Sequence, residues 1–125
     1  MEYGININFF RRSLGIKKAA ELIKKAGFTM LDYTPPLLDD NWKTDMKEAM
    51  RIFEYNGLSV HQTHAPFNRY GEYGDMHRLC IDRCAEATEL MGAKFMVVHG
   101  DEFDFDNRIF SPEAALDYNH NLFLP

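Results

Sequence analysis

Two histidines stand at the ends of apolar segments of strand-like composition. His64 closes the segment 58–64 (LSVHQTH) and His99 closes the segment 94–99 (KFMVVH), each just before a turn residue. Parallel strands bring their carboxyl ends to one edge of a sheet, so the two rings are expected to open into a shared cavity. Neutral imidazole binds divalent transition metals, and the alternative is a histidine satisfied by a backbone partner. We predict that His64 and His99 are ligands of a divalent ion, with Mn, Mg, Co and Zn left open.

Further polar residues fall at the same edge of the predicted sheet. Because side chains alternate along a strand, Asn6 shares a face with Asn8, and Gln62 shares a face with His64. Asp32 ends another strand-like segment, where a structural hydrogen bond is the alternative role. His61 should point away from His64, which makes it a weaker contact. The predicted substrate-binding residues are Asn8, Asp32, His61 and Gln62.

The positions of these residues depend on the strands and helices that carry them. Strand-like and helix-like periodicities alternate along the chain. The predicted strands are 4–10, 28–33, 58–64 and 94–99. The first predicted helix is Ser13–Ala26, with Gly27 as its cap, and the second is capped by Asp39, Asp40 or Asn41 and ends at Asn56-Gly57. The third runs from Asp75 to Gly92, and the fourth starts at Ser111-Pro112-Glu113. A loop at 68–74 precedes the third helix, and acidic residues follow His99.

Repeated strand–helix units predict an α/β protein with a parallel sheet, organised as a single domain over 1–125. Two architectures remain open: a small open sheet with helices on both faces, or half of a closed barrel. A half barrel would expose apolar side chains of its inner face, at about 1.5–3 kcal/mol each. We therefore expect missing sequence, a second half barrel or self-association to cover the open sheet.

The sequence resembles a known superfamily over essentially its whole length. The segments 61–70 (HQTHAPFNRY) and 94–103 (KFMVVHGDEF), the opening GININF and the step GFTMLDYTPP are similar to those of the xylose isomerase-like TIM barrels. That group includes sugar phosphate isomerase/epimerase-type proteins and apurinic endonucleases of the endonuclease IV type. The resemblance implies a (β/α)8 TIM barrel, of which this chain supplies about the first four β/α units, a half barrel.

The resemblance also implies roles for particular residues. In endonuclease-type relatives, histidines ending the third and fourth strands are metal ligands, and these correspond to His64 and His99. In the sugar isomerases, the catalytic glutamates come from strands five to eight, so the catalytic residues are expected in the missing half. The implied function is a metal-dependent isomerase or epimerase acting on a sugar, sugar phosphate or polyol. The alternatives are an endonuclease IV-type repair nuclease and an inactive half barrel that binds a partner.

Composition narrows these choices. The net charge of −5 argues against a nucleic-acid partner, since a phosphate backbone would be repelled. The sequence predicts no membrane span and no secretory signal, and its two cysteines form no disulfide framework, which favours the cytoplasm. His77, Cys80 and Cys84 share a helical face; a zinc site there lacks a fourth ligand, so burial of the thiols is favoured.

Overall fold

The computed structural model describes residues 3–67 and 76–99, together with residues 113, 116, 117, 120 and 121. Four parallel strands form one sheet in the order β1-β2-β3-β4. The strands are β1 (Gly4–Asn6), β2 (Met30–Tyr33), β3 (Ser59–His64) and β4 (Phe95–Val97). The helices are α1 (Asn8–Leu14), α2 (Ile16–Lys25), α3 (Trp42–Tyr55) and α4 (Met76–Leu90). The predicted α/β class and parallel sheet are confirmed.

The helices α2, α3 and α4 pack on one face of this sheet. One buried cluster joins Ala20 of α2 and Phe53 of α3 to Leu31 of β2, and a second joins α3 to α4. Alternation along the strands sends the side chains of Asn6 and Asp32 to the opposite face. The consecutive strand order explains this, because successive crossovers of one hand place every helix on the same side. The sheet therefore has one apolar, helix-covered face, and we call the opposite face, which carries Asn6 and Asp32, the polar face.

The first strand is shorter than the sequence predicts. The interpretation of residues 4–10 as one strand is wrong, because β1 ends at Asn6 and α1 begins at Asn8. The Asn6 side-chain oxygen accepts the backbone N–H of Asn8 at 2.9 Å, an Asx turn that redirects the chain. Ile7 lies at the turn, 0% exposed, and its N–H donates to the Asp32 carbonyl at 3.1 Å. Alternating polarity here reflects a turn between two elements.

The first predicted helix is divided in two. Instead of one helix over Ser13–Ala26, α1 ends at Leu14 and α2 starts at Ile16. Gly15 between them has φ 75° and ψ 159°, a backbone conformation that residues with a Cβ rarely adopt. The expected left-handed glycine is found after α2, where Gly27 has φ 91°. The later helices follow their predicted bounds closely, although Asn41 occupies the N-cap position of α3 without a side-chain capping hydrogen bond.

The fourth strand is less buried than its composition indicates. A nearly continuous apolar run predicts burial on both faces. Phe95 is 57% exposed, whereas Met96 packs against the helix-covered core. The prediction of burial on both faces is therefore wrong for the described residues, because helices cover one side of β4 only.

Two predictions fall mainly outside the described residues. They are the loop at 68–74 and the acidic segment after His99. The predicted fourth helix is described at five positions only, and residues 113, 116, 117, 120 and 121 all have helical backbone. Helices in the described ranges lack the length and apolar composition that crossing a bilayer requires.

The packing of Phe53 offers a test of the helix-covered core. Its ring meets Tyr33 edge-on, with centroids 5.2 Å apart, and the residue is 2% exposed. We expect Phe53→Ala to lower the free energy of unfolding by about 3–5 kcal/mol, because it leaves a cavity. Tyr55→Ala is the matched control on the same helix: Tyr55 is 91% exposed, and the expected change is within about 0.5 kcal/mol. Urea unfolding followed by circular dichroism measures both, and equal losses would contradict this core.

Candidate functional site at the carboxyl edge of the sheet

The Asp32 carboxylate is the centre of a hydrogen-bonded cluster on the polar face. One carboxylate oxygen accepts Asn6 Nδ2 at 3.2 Å and Gln62 Nε2 at 3.3 Å, and the other lies 2.7 Å from His64 Nδ1. Strand register explains the meeting, since Asp32 pairs with both Asn6 and Gln62. We call Asn6, Asp32, Gln62 and His64 the polar cluster. The predicted convergence of strand-end polar groups is therefore found in the structure.

The contact with Asp32 selects a tautomer of His64. An ionised carboxylate can only accept hydrogen bonds, so Nδ1 of the ring carries a proton and donates it. In the neutral ring, Nε2 then presents a lone pair. The same pairing of carboxylate and histidine orients histidines that bind metals. The His64 and Asp32 side chains are 19% and 20% exposed, so the pair is accessible from the polar face.

His99 lies beside His64, sandwiched between two rings. The His64 and His99 centroids are 5.5 Å apart with an interplanar angle of 11°, and Phe67 stacks on His99 at 4.0 Å. The Nε2 atom of His99 is buried without a hydrogen-bond partner among the described residues. The two histidines are thus neighbours at the same edge, as the sequence predicts, whereas the cleft beside them is lined by His64 and not by His99.

The stacked arrangement sets a condition for sharing a metal ion. An imidazole lone pair lies in the ring plane, so stacked, near-parallel rings do not direct their lone pairs at one point. A shared ion at about 2.0–2.1 Å from each nitrogen therefore requires one ring to tilt. No group of three His, Cys, Asp or Glu side chains that could hold a metal ion is found among the described residues. The donor types fit a metal, while its role at His64 and His99 stays a prediction.

Asn8 is placed differently from its predicted strand position. It is the first residue of α1, and its amide exchanges hydrogen bonds with Thr34: Nδ2 donates to Oγ1 at 3.1 Å, and Oδ1 accepts the backbone N–H at 3.2 Å. Two of its polar groups are therefore used to hold the start of α1 against the end of β2. Asn8 still lines the cleft next to the polar cluster.

His61 lies outside the polar cluster. It is skipped in the pairing of β2 with β3, where Leu31 pairs with Val60 and Asp32 pairs with Gln62. The His61 ring contacts Phe95, with centroids 5.5 Å apart. His61 therefore makes no described contact with Asp32, and its substrate role stays a prediction.

The cysteines belong to the helix-covered face. Cys80 and Cys84 are free thiols at 0% exposure, and His77 is 1% exposed. Cys84 Sγ lies 3.7 Å from Thr63 Oγ1, which itself lies 2.6 Å from Thr88 Oγ1. Burial raises the pKa of both thiols above its ordinary value, although the hydrogen bonds to Cys84 act in the opposite direction. The predicted burial of the thiols is confirmed.

The structure adds site residues that the sequence did not single out for this role. Arg11, Arg12, Phe67 and Thr34 line the cleft beside His64. Arg11 Nη1 donates to the Tyr33 hydroxyl at 3.2 Å. Burial raises the pKa of Tyr33, and the neighbouring guanidinium opposes this shift. These residues could have been found from their positions in the sequence. Both arginines closely follow the first strand, and Phe67 follows His64-Ala65-Pro66 at the end of the third.

No protein-family model, curated protein or solved structure gives a significant match to this chain. The likeness to xylose isomerase-like barrels therefore stays a prediction from the sequence.

The tautomer of His64 can be measured directly. Above pH 7.5, we expect long-range ¹H–¹⁵N correlation spectra to show the proton on Nδ1, because Asp32 accepts it. In Asp32→Ala the preference should disappear, while the nitrogen shifts of His61 stay unchanged. A native His64 protonated on Nε2 would contradict the hydrogen bond to Asp32.

The buried thiols give a second measurement. Because their pKa values are raised, the thiolate fraction at pH 8 is smaller than for an ordinary cysteine, and access is limited as well. We expect labelling by 5,5′-dithiobis(2-nitrobenzoate) to be slow in the folded protein. In guanidinium, two thiols per chain should react quickly. Labelling of either cysteine at the unfolded rate under native conditions would rule out this packing.

Proposed function

We propose that this chain is the amino-terminal half of a (β/α)8 barrel of the metal-dependent sugar isomerase and epimerase type. The observation that carries the proposal is the polar cluster around Asp32, on the face of the sheet opposite α2, α3 and α4. A closed barrel has this arrangement, with helices outside and its site at the carboxyl ends of the strands. The consecutive parallel order of four strands supports a barrel over a doubly wound sheet, in which the order reverses.

His64 and His99 are the residues that would hold the metal in this proposal. Two features support them: Asp32 fixes the His64 ring with Nε2 available, and His99 Nε2 is buried without a described partner. A bound divalent ion polarises a substrate carbonyl or hydroxyl. Asp32 acts on the ring by accepting the proton of Nδ1, which orients the ring.

Gln62 is the best candidate in the polar cluster for contacting a sugar hydroxyl. Its Nε2 donates to Asp32, and this contact fixes the amide while leaving Oε1 without a hydrogen bond among the described residues. Asn6 uses its amide nitrogen on Asp32 and its amide oxygen on the Asn8 backbone. Gln62 therefore orients the substrate, and the carboxylates that move protons are proposed to come from later barrel strands.

A second half barrel is proposed to cover the polar face. Phe95 on β4 is 57% exposed, and such a ring on the inner face of a barrel would be buried by facing strands. The covering half can come from the same polypeptide or from another copy. The two unbridged cysteines fit the proposed cytoplasmic location.

Metal binding by the chain tests the proposal. After removal of metals with a chelator, thermal unfolding is followed with Mn²⁺, Mg²⁺, Co²⁺ or Zn²⁺. At least one ion should raise the melting temperature, and an ion at a hundred times its dissociation constant stabilises the folded state by about 2.7 kcal/mol. His64→Gln and His99→Gln should each remove most of this shift. His120→Gln is the matched control, since His120 is an exposed helical residue.

The outcomes separate a site from adventitious binding. Circular dichroism without metal first establishes that each variant is folded. If no ion raises the melting temperature, or if His120→Gln removes the shift as fully as His64→Gln does, the proposed metal site is wrong.

A further inference from the structure

A cleft of about 620 Å³ opens beside the polar cluster. His64 and Asn6 contribute to its wall from the strands, and Arg11 and Arg12 contribute from α1. No aspartate or glutamate is among the described residues that line it, although the whole chain carries a net charge of −5. Asp32 is not part of the lining, but its carboxylate is hydrogen-bonded to Asn6 and His64, which are. The two arginines of the cleft therefore outnumber the one carboxylate that is bonded to its described lining, in a protein of net negative charge.

Arg11 and Arg12 differ in the contacts that they make with other described residues. Arg11 donates to the Tyr33 hydroxyl and lies over that ring, and it also borders a depression that contains Asp45 and Glu48. Arg12 is exposed, and it makes no hydrogen bond or ion pair with any residue that the structure describes. Its guanidinium is thus available to a ligand, whereas Arg11 is held in place.

We propose that the cleft binds a phosphate group of a small substrate and that Arg12 is the residue that binds it. The planar guanidinium matches the geometry of phosphate oxygens and can donate two parallel hydrogen bonds. The reacting end of the same substrate would lie at His64, because that side chain lines the same cleft. This inference rests on the proposed function and narrows its substrate class to phosphorylated sugars.

Binding of three related probes tests the phosphate site. Ribose 5-phosphate, ribose and ribonate are titrated into the ¹⁵N-labelled full chain at low ionic strength, and amide shifts report the dissociation constants. We expect ribose 5-phosphate to bind at least about tenfold more tightly than ribose, with Arg12→Gln removing most of this ratio. Arg12→Lys keeps the positive charge but loses the planar guanidinium with its two parallel donors. It should retain part of the difference in affinity between ribose 5-phosphate and ribose. Arg51→Gln is the charge-matched control, because Arg51 is exposed on α3.

Several results would overturn the inference. They are an unchanged ratio in Arg12→Gln, an equal loss in Arg51→Gln, or ribonate binding as tightly as ribose 5-phosphate. The metal-dependent shift in melting temperature is measured on the same variants. If Arg12 governs phosphate binding while no metal binds, the phosphate site stands and the proposed metal-dependent function falls. If metal binds through His64 and His99 but phosphate binding does not depend on Arg12, the proposed metal-dependent function stands and the phosphate site falls.

Discussion

The Asp32 carboxylate on β2 connects β1, β2 and β3 through hydrogen bonds. It accepts Asn6 from β1, and it accepts Gln62 and meets His64 from β3, so the first three strands are joined at their carboxyl edge. Charge-assisted hydrogen bonds are stronger than neutral ones, and a partly buried carboxylate needs them. Replacing Asp32 would release Gln62 and the His64 ring together. Asp32 is thus the one hydrogen-bond partner that Asn6, Gln62 and His64 share.

The asymmetry of the sheet determines what this cluster can do. On one face, residues such as Leu31 and Val60 pack against helices, and their alternation partners must then point to the other face. A parallel sheet normally has both faces covered. The helix-free face also carries exposed apolar residues beside the polar cluster, such as Phe95, which are the residues that a covering layer would bury. The proposed second half barrel would supply this layer without disturbing the helix-covered core.

The sequence predicts the parts of the site whose positions follow from regular strand geometry. The position of His64 follows from strand alternation and from the shared edge of parallel strands. The turn at Asn8 was missed because the Asn6 side chain competes locally with strand pairing, an interaction that hydrophobic periodicity does not register. The register irregularity at His61 was missed for a similar reason, since a bulge leaves no periodic signal. The place of Arg12 in the cleft was missed because it lies between the predicted strand 4–10 and the predicted helix Ser13–Ala26, where the structure has helix α1.

Charge balance connects the proposed metal with the proposed phosphate. If the polar face is covered, water is excluded, and the Asp32 charge beside a neutral His64 lacks compensation. The proposed divalent cation at His64 and His99 would exceed that single negative charge by one unit, and Arg11 and Arg12 each add another. A phosphate monoester carries close to two negative charges near pH 7 and would offset most of this excess. A neutral sugar would leave the same covered cleft with excess positive charge, because no carboxylate of the described residues lines it. The metal and the anionic substrate are therefore expected to favour each other's binding.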